Sequence, residues 1–280
     1  MREITSQLIS DTVRGLLIEA NYVIGSDVEA RMRSCLAEEP SPEGRDVMEQ
    51  LLQNYEIART QRVAICQDTG MAVVFLDVGQ DVHIEGDLSE AVADGVRRAY
   101  KEGYLRKSVV RDPLYDRVNT GDNTPPVIHE RIVPGDKIDI LVSPKGFGSE
   151  NMSQIKMLVP ADGEEGVVRF VTGVLEKAGP NPCPPVIVGV GIGGTMEMAA
   201  ILAKRMTARP IDQRNPDPRY AALEERILRE INKSGVGPAG IGGRTTALAV
   251  NIDTYPTHIA SMPVAVNVCC HAARHARAIL

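Results

Sequence analysis

Five short apolar runs do most to limit the folds open to this chain: Met71–Val78, Ile138–Val142, Val186–Val190, Thr246–Ile252 and Pro263–Val268. Each has strand length and a strand-like content of β-branched residues. Helical stretches near 88–103, 164–178, 195–207 and 218–233 fall between them. Asp162 and Glu165 mark the start of one of these helices and Gly179 its end. Before residue 60 the texture differs. Leu8, Val13, Leu16, Leu17 and Ala20 recur near helical spacing, and Ser26 with Glu29 makes a capping-box pattern ahead of Val28, Met32, Cys35 and Leu36. Ser41-Pro42 reads as N-cap and first position of a third helix carrying Val47, Leu51, Leu52 and Tyr55. The expected fold class is therefore mixed α and β. It has a helical N-terminal portion (1–60) followed by a sheet-containing portion flanked by helices (61–280), the two integrated as one domain. Strand order is not readable from these patterns.

A chain of 280 residues buries roughly 75% of its unfolded surface. Trp is absent and Phe occurs 3 times, so the core must be mainly aliphatic. A net charge of −6 argues against a nucleic-acid partner, although a local Arg cluster can still receive a small anion. The opening MREITSQLISDTVRGLL is interrupted by Glu3, Asp11 and Arg14 and reads as neither secretory signal nor membrane anchor. No run approaches the roughly 20 apolar residues of a bilayer span. The 5 cysteines make a poor disulfide framework, and a reducing cytoplasm is the expected compartment.

Four of those cysteines stand beside polar or Gly/Pro-rich signals. Cys66 begins Cys66-Gln67-Asp68-Thr69-Gly70; Cys183 sits in Asn181-Pro-Cys-Pro-Pro185, where the prolines exclude a helix; Cys269 and Cys270 precede His271-Ala-Ala-Arg-His275. Adjacent strand residues point to opposite faces, so one of that last pair can address a given site. Cys35 reads as a small apolar residue on a helix stripe. Three separated thiolates on stiff loops would suit a [4Fe–4S] cluster with one iron left open, since soft thiolates favour such clusters. From spacing alone the alternative stays open that they are simply buried apolar residues.

The segments Ile65-Cys-Gln-Asp-Thr-Gly70, Asn119-Thr-Gly-Asp-Asn-Thr-Pro125, Asn181-Pro-Cys-Pro-Pro-Val186, Gly242-Gly-Arg-Thr-Thr246 and Thr257-His-Ile-Ala260 with Pro263-Val-Ala-Val-Asn267 resemble, in order and over nearly the whole chain, those of class I fumarases. The likeness is to the α subunit of the two-subunit enzymes. L-tartrate dehydratase α subunits share the Cys-Gln-Asp-Thr-Gly and Cys-Pro-Pro elements, while the other three segments look more like the fumarase side. The resemblance implies a hydro-lyase acting on a C4 dicarboxylate, with fumarate and (S)-malate first and tartrate or mesaconate as alternatives. It implies a [4Fe–4S] cluster on Cys66, Cys183 and Cys270, with Cys269 a departure from the family's single cysteine. It also implies substrate contacts at Gln67, Asp68 and Arg106, and a histidine near the cluster at His258, so that Asp68 and His258 are the candidate catalytic residues. The general base and further cations would come from a β subunit, in an assembly expected to be α2β2. The loop Lys145-Gly-Phe-Gly-Ser-Glu-Asn151 adds Gly148 as a candidate substrate contact, although the family loop is more glycine-rich at Phe147. Gly240-Ile-Gly-Gly-Arg244 is a second such loop, and either also reads as a tight turn.

Two other motifs compete. Gly189-Val-Gly-Ile-Gly-Gly194 fits G-x-G-x-x-G after a strand and before a helix, with Asp212 at the spacing of a ribose-binding acid. This makes an NAD-binding oxidoreductase the alternative reading, weakened by the poor second strand Ala208-Arg-Pro-Ile-Asp212. Asp68-Thr69-Gly70 is the aspartic-protease triplet, but no second one exists to share a site with it. A non-enzymatic binding protein is a third possibility. His83 and His129 read as surface or turn residues, and His271 with His275 as structural.

Overall fold

A computed structural model describes residues 1–280. The chain forms two compact units, neither continuous in sequence: residues 1–24, 55–147 and 274–280 make the first, and residues 25–54 and 148–273 the second.

The first unit holds β1 (Arg2–Thr5), α1 (Ser6–Tyr22), β2 (Met71–Gly79), β3 (Val82–Glu85), α4 (Leu88–Glu102), β4 (Val127–Val133), β5 (Ile138–Lys145) and β10 (Ala276–Ile279). Its main sheet runs β10-β5-β2-β4, with β2 parallel to β4 and antiparallel to β5. β1 and β3 pair separately in parallel. The central strand β2 is buried almost throughout, which is why residues 71–78 read as a continuous apolar run and not as an alternation. Ile9, Val13 and Leu17 of α1 and Val92, Val96 and Tyr100 of α4 pack with Val74, Leu76, Ile138, Ile140 and Val142 in the core. His129 lies in β4 and stacks on Phe75 of β2 at 5.1 Å between ring centroids, so it is a strand residue and not a turn. His83 is an exposed residue of β3.

The second unit holds α2 (Ser26–Glu38), most of α3 (Pro42–Gln61), β6 (Gln154–Leu158), α6 (Gly163–Ala178), β7 (Val186–Gly193), α7 (Met196–Met206), α8 (Pro218–Asn232), β8 (Ala247–Tyr255) and β9 (Met262–Cys269). The four-residue helix α5 (Phe147–Glu150) lies where the chain leaves the first unit. The sheet runs β6-β9-β7-β8, with β7 parallel to β8 and antiparallel to β9. The alternation along β7 sorts its neighbours. Val186, Val188, Val190 and Ile192 share a core with α6 and α8, while Gly189 and Gly191 point at α7. A Cβ on Gly189 would fall 2.0 Å from the Ala203 carbonyl oxygen, and one on Gly191 2.1 Å from that of Ala199. The glycines are the room that lets α7 lie directly on the strand.

The caps differ in part from expectation. Ser41 does cap α3, its Oγ accepting from Gly44 N at 3.1 Å, and Gly179 closes α6 with φ 52°. Ser26 does not cap α2. Gly25 takes the N-cap position with no side-chain cap, Ser26 is already the first helical residue, and Glu29 pairs with Arg33 at 2.6 Å. Asp162 turns its carboxylate back to Val159 N at 2.9 Å, closing the preceding 3-10 turn instead of α6.

Gly191→Ala is expected to cost about 1–3 kcal/mol through overpacking against α7, or to leave little folded protein. Urea unfolding of the variant beside wild type checks this; an unchanged midpoint would mean α7 is not seated on β7 as described.

Candidate active site

In the first unit, the Cys66–Gly70 segment is irregular and is held from all sides. Ile65 N donates to the Asn21 carbonyl at 2.9 Å. The buried Tyr100 hydroxyl reaches the carbonyls of Thr69 (2.8 Å) and Gly70 (2.9 Å), and Asn123 Nδ2 donates to Gly70 O at 3.2 Å. Burial pushes the Tyr100 hydroxyl well above the ordinary tyrosine range, so it stays a donor. Gly70 has φ +76°, and a Cβ there would meet the Lys145 backbone at 2.7 Å, so no other residue fits. Asp68 is fixed at three points: Oδ1 accepts from Gly70 N (3.0 Å), Oδ2 from Phe147 N (2.9 Å), and its carbonyl from Arg274 Nη1 (2.6 Å). What remains open is the outer side: Gln67 is exposed, and Cys66 and Asp68 are half-buried.

The same scaffold carries Arg106. Thr69 Oγ1 donates to the Arg106 carbonyl at 3.0 Å, leaving the guanidinium exposed. The Asn119–Pro125 segment braces the adjoining chain. Asn119 Nδ2 donates to Lys107 O at 3.1 Å, and the fully buried Asn123 accepts from Ser108 N at 2.7 Å and Val109 N at 3.2 Å. Gln67, Asp68 and Arg106 thus belong to one hydrogen-bonded construction.

In the second unit, Cys183 has φ +53°, a conformation that non-glycine residues adopt rarely. Its N–H donates to Pro180 O at 3.0 Å, Ala239 N donates to Pro184 O at 2.8 Å, and His271 N donates to Cys183 O at 3.4 Å. Those contacts present the Cys183 side chain to solvent and tie its loop to the residue after Cys270. Cys269 ends β9 opposite Ile187 and is buried, whereas Cys270 lies past the strand end and is half-buried. His258 stands in an exposed turn, its Nδ1 accepting from Ala260 N at 3.2 Å. Gly148 needs no absent side chain for packing: the nearest atom to a Cβ would be Asn181 O at 3.7 Å. His271 and His275 are not on a helix.

The Gly242–Thr246 loop is organised by Glu39, a residue its sequence neighbourhood gave no reason to single out. Buried Glu39 accepts from Arg244 N (2.8 Å), Thr245 N (2.9 Å) and Ser41 N (3.3 Å). Burial alone would raise its carboxyl; the backbone donors outweigh that and hold it below the usual carboxylate range.

Neither unit by itself gathers three His, Cys, Asp or Glu side chains as a single-metal site. The donor chemistry sorts the thiols differently. Cys35 and Cys269 are buried, with burial pushing the Cys35 thiol up. Cys66, Cys183 and Cys270 reach solvent on stiff loops, and such soft donors fit an iron–sulfur cluster. The glycine run 189–194 has a packing role: Gly189 and Gly191 lie inside β7 beneath α7, and Asp212 is in an exposed loop.

Residues 10–279 match the family description Fumarate hydratase (Fumerase). This chain belongs to the fumarate hydratase family, a family of hydro-lyases. A Methanocaldococcus jannaschii protein bearing the name "Putative L(+)-tartrate dehydratase subunit alpha" is 39% identical over 273 residues, 96% of each chain. The L(+)-tartrate dehydratase subunit alpha of Escherichia coli K12 is 34% identical over 252 residues, 89% of this chain and 82% of that one. The Shigella sonnei protein of the same name shows the same identity and coverage. No helix is long and apolar enough to cross a membrane.

A group whose folded pKa is depressed stabilises the fold above its unfolded pKa and loses that contribution as pH falls through the folded value. Glu39→Gln is therefore expected to lower stability at pH 7 by about 1–3 kcal/mol, the range for hydrogen bonds to a charged group. The gap to wild type should close as the pH falls below the ordinary glutamate value of 4.5. Urea midpoints across pH 3–7 check this; a gap independent of pH would exclude the charge as the cause.

Proposed function

We propose that this chain is the α subunit of an iron–sulfur hydro-lyase that adds or removes water on a C4 dicarboxylate, with fumarate and (S)-malate as the first pair to test. The observation that carries the reading is the Cys66–Gly70 turn. Its backbone is pinned by Asn21, Tyr100, Asn123 and Arg274, and along it Gln67 is exposed while Cys66 and Asp68 stay partly accessible, with the Cys66 thiol 3.3 Å from Gln67 Oε1. Cys66, Cys183 and Cys270 would hold a [4Fe–4S] cluster. Burial of Cys269 in β9 favours Cys270 as the third ligand. A bound cluster with one iron free of cysteine supplies a Lewis acid for the substrate hydroxyl.

The protein's own residues supply the rest of what this half can offer. The exposed Arg106 guanidinium can grip a carboxylate through two parallel hydrogen bonds. Gln67 offers an amide donor and acceptor at the same edge. Asp68 has each oxygen already accepting one backbone N–H, so it is an oriented anion able to accept a further bond from a substrate hydroxyl or water. Gly148 carries no side chain, and with the nearest atom to where one would begin being Asn181 O at 3.7 Å, a ligand could approach its N–H closely. His258 sits in a turn exposed enough to meet a ligand. A base for the carbon-bound proton and the second carboxylate's cations are assigned to a β subunit, in an α2β2 assembly, so this chain alone should be inactive.

A second reading, L(+)-tartrate as the substrate, is favoured by the names of the relatives. The two substrates differ by one hydroxyl, and a site that hydrogen-bonds that hydroxyl separates them strongly.

Anaerobic reconstitution of the chain with iron and sulfide should give about four irons and absorbance near about 400 nm. Cys66→Ser, Cys183→Ser and Cys270→Ser should lose both, while Cys269→Ser keeps them. With the companion subunit present, turnover of (S)-malate or L(+)-tartrate decides the substrate. Arg106→Lys should then raise KM about tenfold or more, the bidentate grip being lost. No bound iron in the wild-type chain would sink the mechanism.

A further inference from the structure

Arg274, in the His271–His275 stretch after Cys270, has no role assigned in the cluster or substrate site, yet it is 3% exposed and its acceptors are neutral: the Asp68 carbonyl at 2.6 Å and Asn21 Oδ1 at 3.2 Å, both from Nη1. Its Nε is buried with no partner. A buried guanidinium without a full set of acceptors is costly, and a neutral donor could tie down one carbonyl at lower cost. Its surroundings give it a larger task. Asn21, itself fully buried, uses its main-chain carbonyl to hold Ile65 N at 2.9 Å and its side chain to hold Arg274. Ile65 and Asp68 are the residues on either side of Cys66 and Gln67. Arg274 Nη2 and Asp68 Oδ2 also fill the space over Gly146, 3.1 and 3.2 Å from where a side chain would begin there. The guanidinium thus shares the Gly146 side of the turn with the Asp68 carboxylate, besides holding the Asp68 carbonyl.

We infer that Arg274 is a positioning residue of the active site: with Asn21 it closes a brace across residues 65–68 that fixes the directions of Cys66, Gln67 and Asp68. The inference rests on the hydro-lyase reading for its catalytic consequence, but not for the brace itself. Arg274 is anchored for this from its own side, its carbonyl accepting from Ser143 Oγ at 3.4 Å and its chain continuing into β10. The guanidinium reaches past one carbonyl to Asn21 and the carboxylate edge, so Lys with a single ammonium should do the work only in part.

The test uses the full chain with its companion subunit, comparing wild type, Arg274→Lys and Arg274→Met. Hydrogen exchange on the full chain should quicken in Arg274→Met at residues 65–70 and stay unchanged in β2 and β5. For the dicarboxylate that wild type turns over, Arg274→Met should lose about ten- to hundredfold in kcat/KM, the scale of misplacing reactive groups. Arg274→Lys should fall between the two, and millimolar guanidinium should restore Arg274→Met at least threefold, with unfolding midpoints staying close to wild type. Exchange that quickens across the whole sheet, or activity that falls only as folded protein falls, would make Arg274 a core residue and overturn the inference. Unchanged exchange at 65–70 would overturn it too. If wild type hydrates no dicarboxylate, the functional reading fails on its own, and the exchange arm still decides the brace.

Discussion

A six-residue stretch with no regular secondary structure, Ile65–Gly70, depends mainly on hydrogen bonds delivered from elsewhere in its unit, and the candidate chemistry depends on it in turn. Backbone left irregular still has to satisfy its donors and acceptors. Here the partners are side chains of Tyr100, Asn123 and Arg274 and the carbonyl of Asn21. Because those groups come from α4, the Asn119–Pro125 segment, the approach to β10 and α1, the turn is as rigid as the packing of the elements that carry them. The sheet and helices of this unit act as a frame for one loop.

The second unit orients its thiol by another route. Around Cys183 the restriction is covalent: Pro182, Pro184 and Pro185 fix their own φ angles, and the cysteine between them is left at φ +53°. Three backbone bonds then hold the loop in place. Side-chain anchoring can be relaxed by single substitutions, whereas the proline route is written into the loop itself.

The strands and helices after residue 60 were legible because each is a strong local pattern. β2, β5, β7, β8 and β9 and helices α4, α6, α7 and α8 all begin and end within a few residues of their expected limits. The missed elements are those whose identity is not local. β4 and β6 are edge strands with mixed exposure, and β10 has four residues, so none carries an apolar run. The Ser26–Glu29 pattern was real in the sequence but failed in the structure: the helix had already begun at Ser26, capped by Gly25, and Glu29 found Arg33 instead. The glycines at 189 and 191 looked like a nucleotide loop because a strand-to-helix glycine run is the same string whether it meets phosphate or a helix backbone. Which of the two it meets is decided by α7. Of the candidate site, the cysteines stood out beside polar and Gly/Pro-rich signals and Arg106 came from the family resemblance; Asn123 lay in a quoted segment without its bracing role, while Tyr100, Asn21 and Glu39 were invisible. Their role is a long-range hydrogen bond, and a single sequence carries no trace of its far end.

The first unit opens and closes the described chain around the second: β10 and Arg274 follow the whole of residues 148–273. On a ribosome, segments fold as they emerge, earlier units first, and that order is inverted here. The sheet β5-β2-β4 emerges early but must wait with an unpaired edge at β5 until the second unit has been made. Throughout that interval the Cys66 turn lacks its arginine. A nascent chain would thus carry an unbraced thiol loop and an open strand edge together, the combination that invites wrong pairing. The brace on the Cys66 turn thus closes only once residues 148–273 have been made.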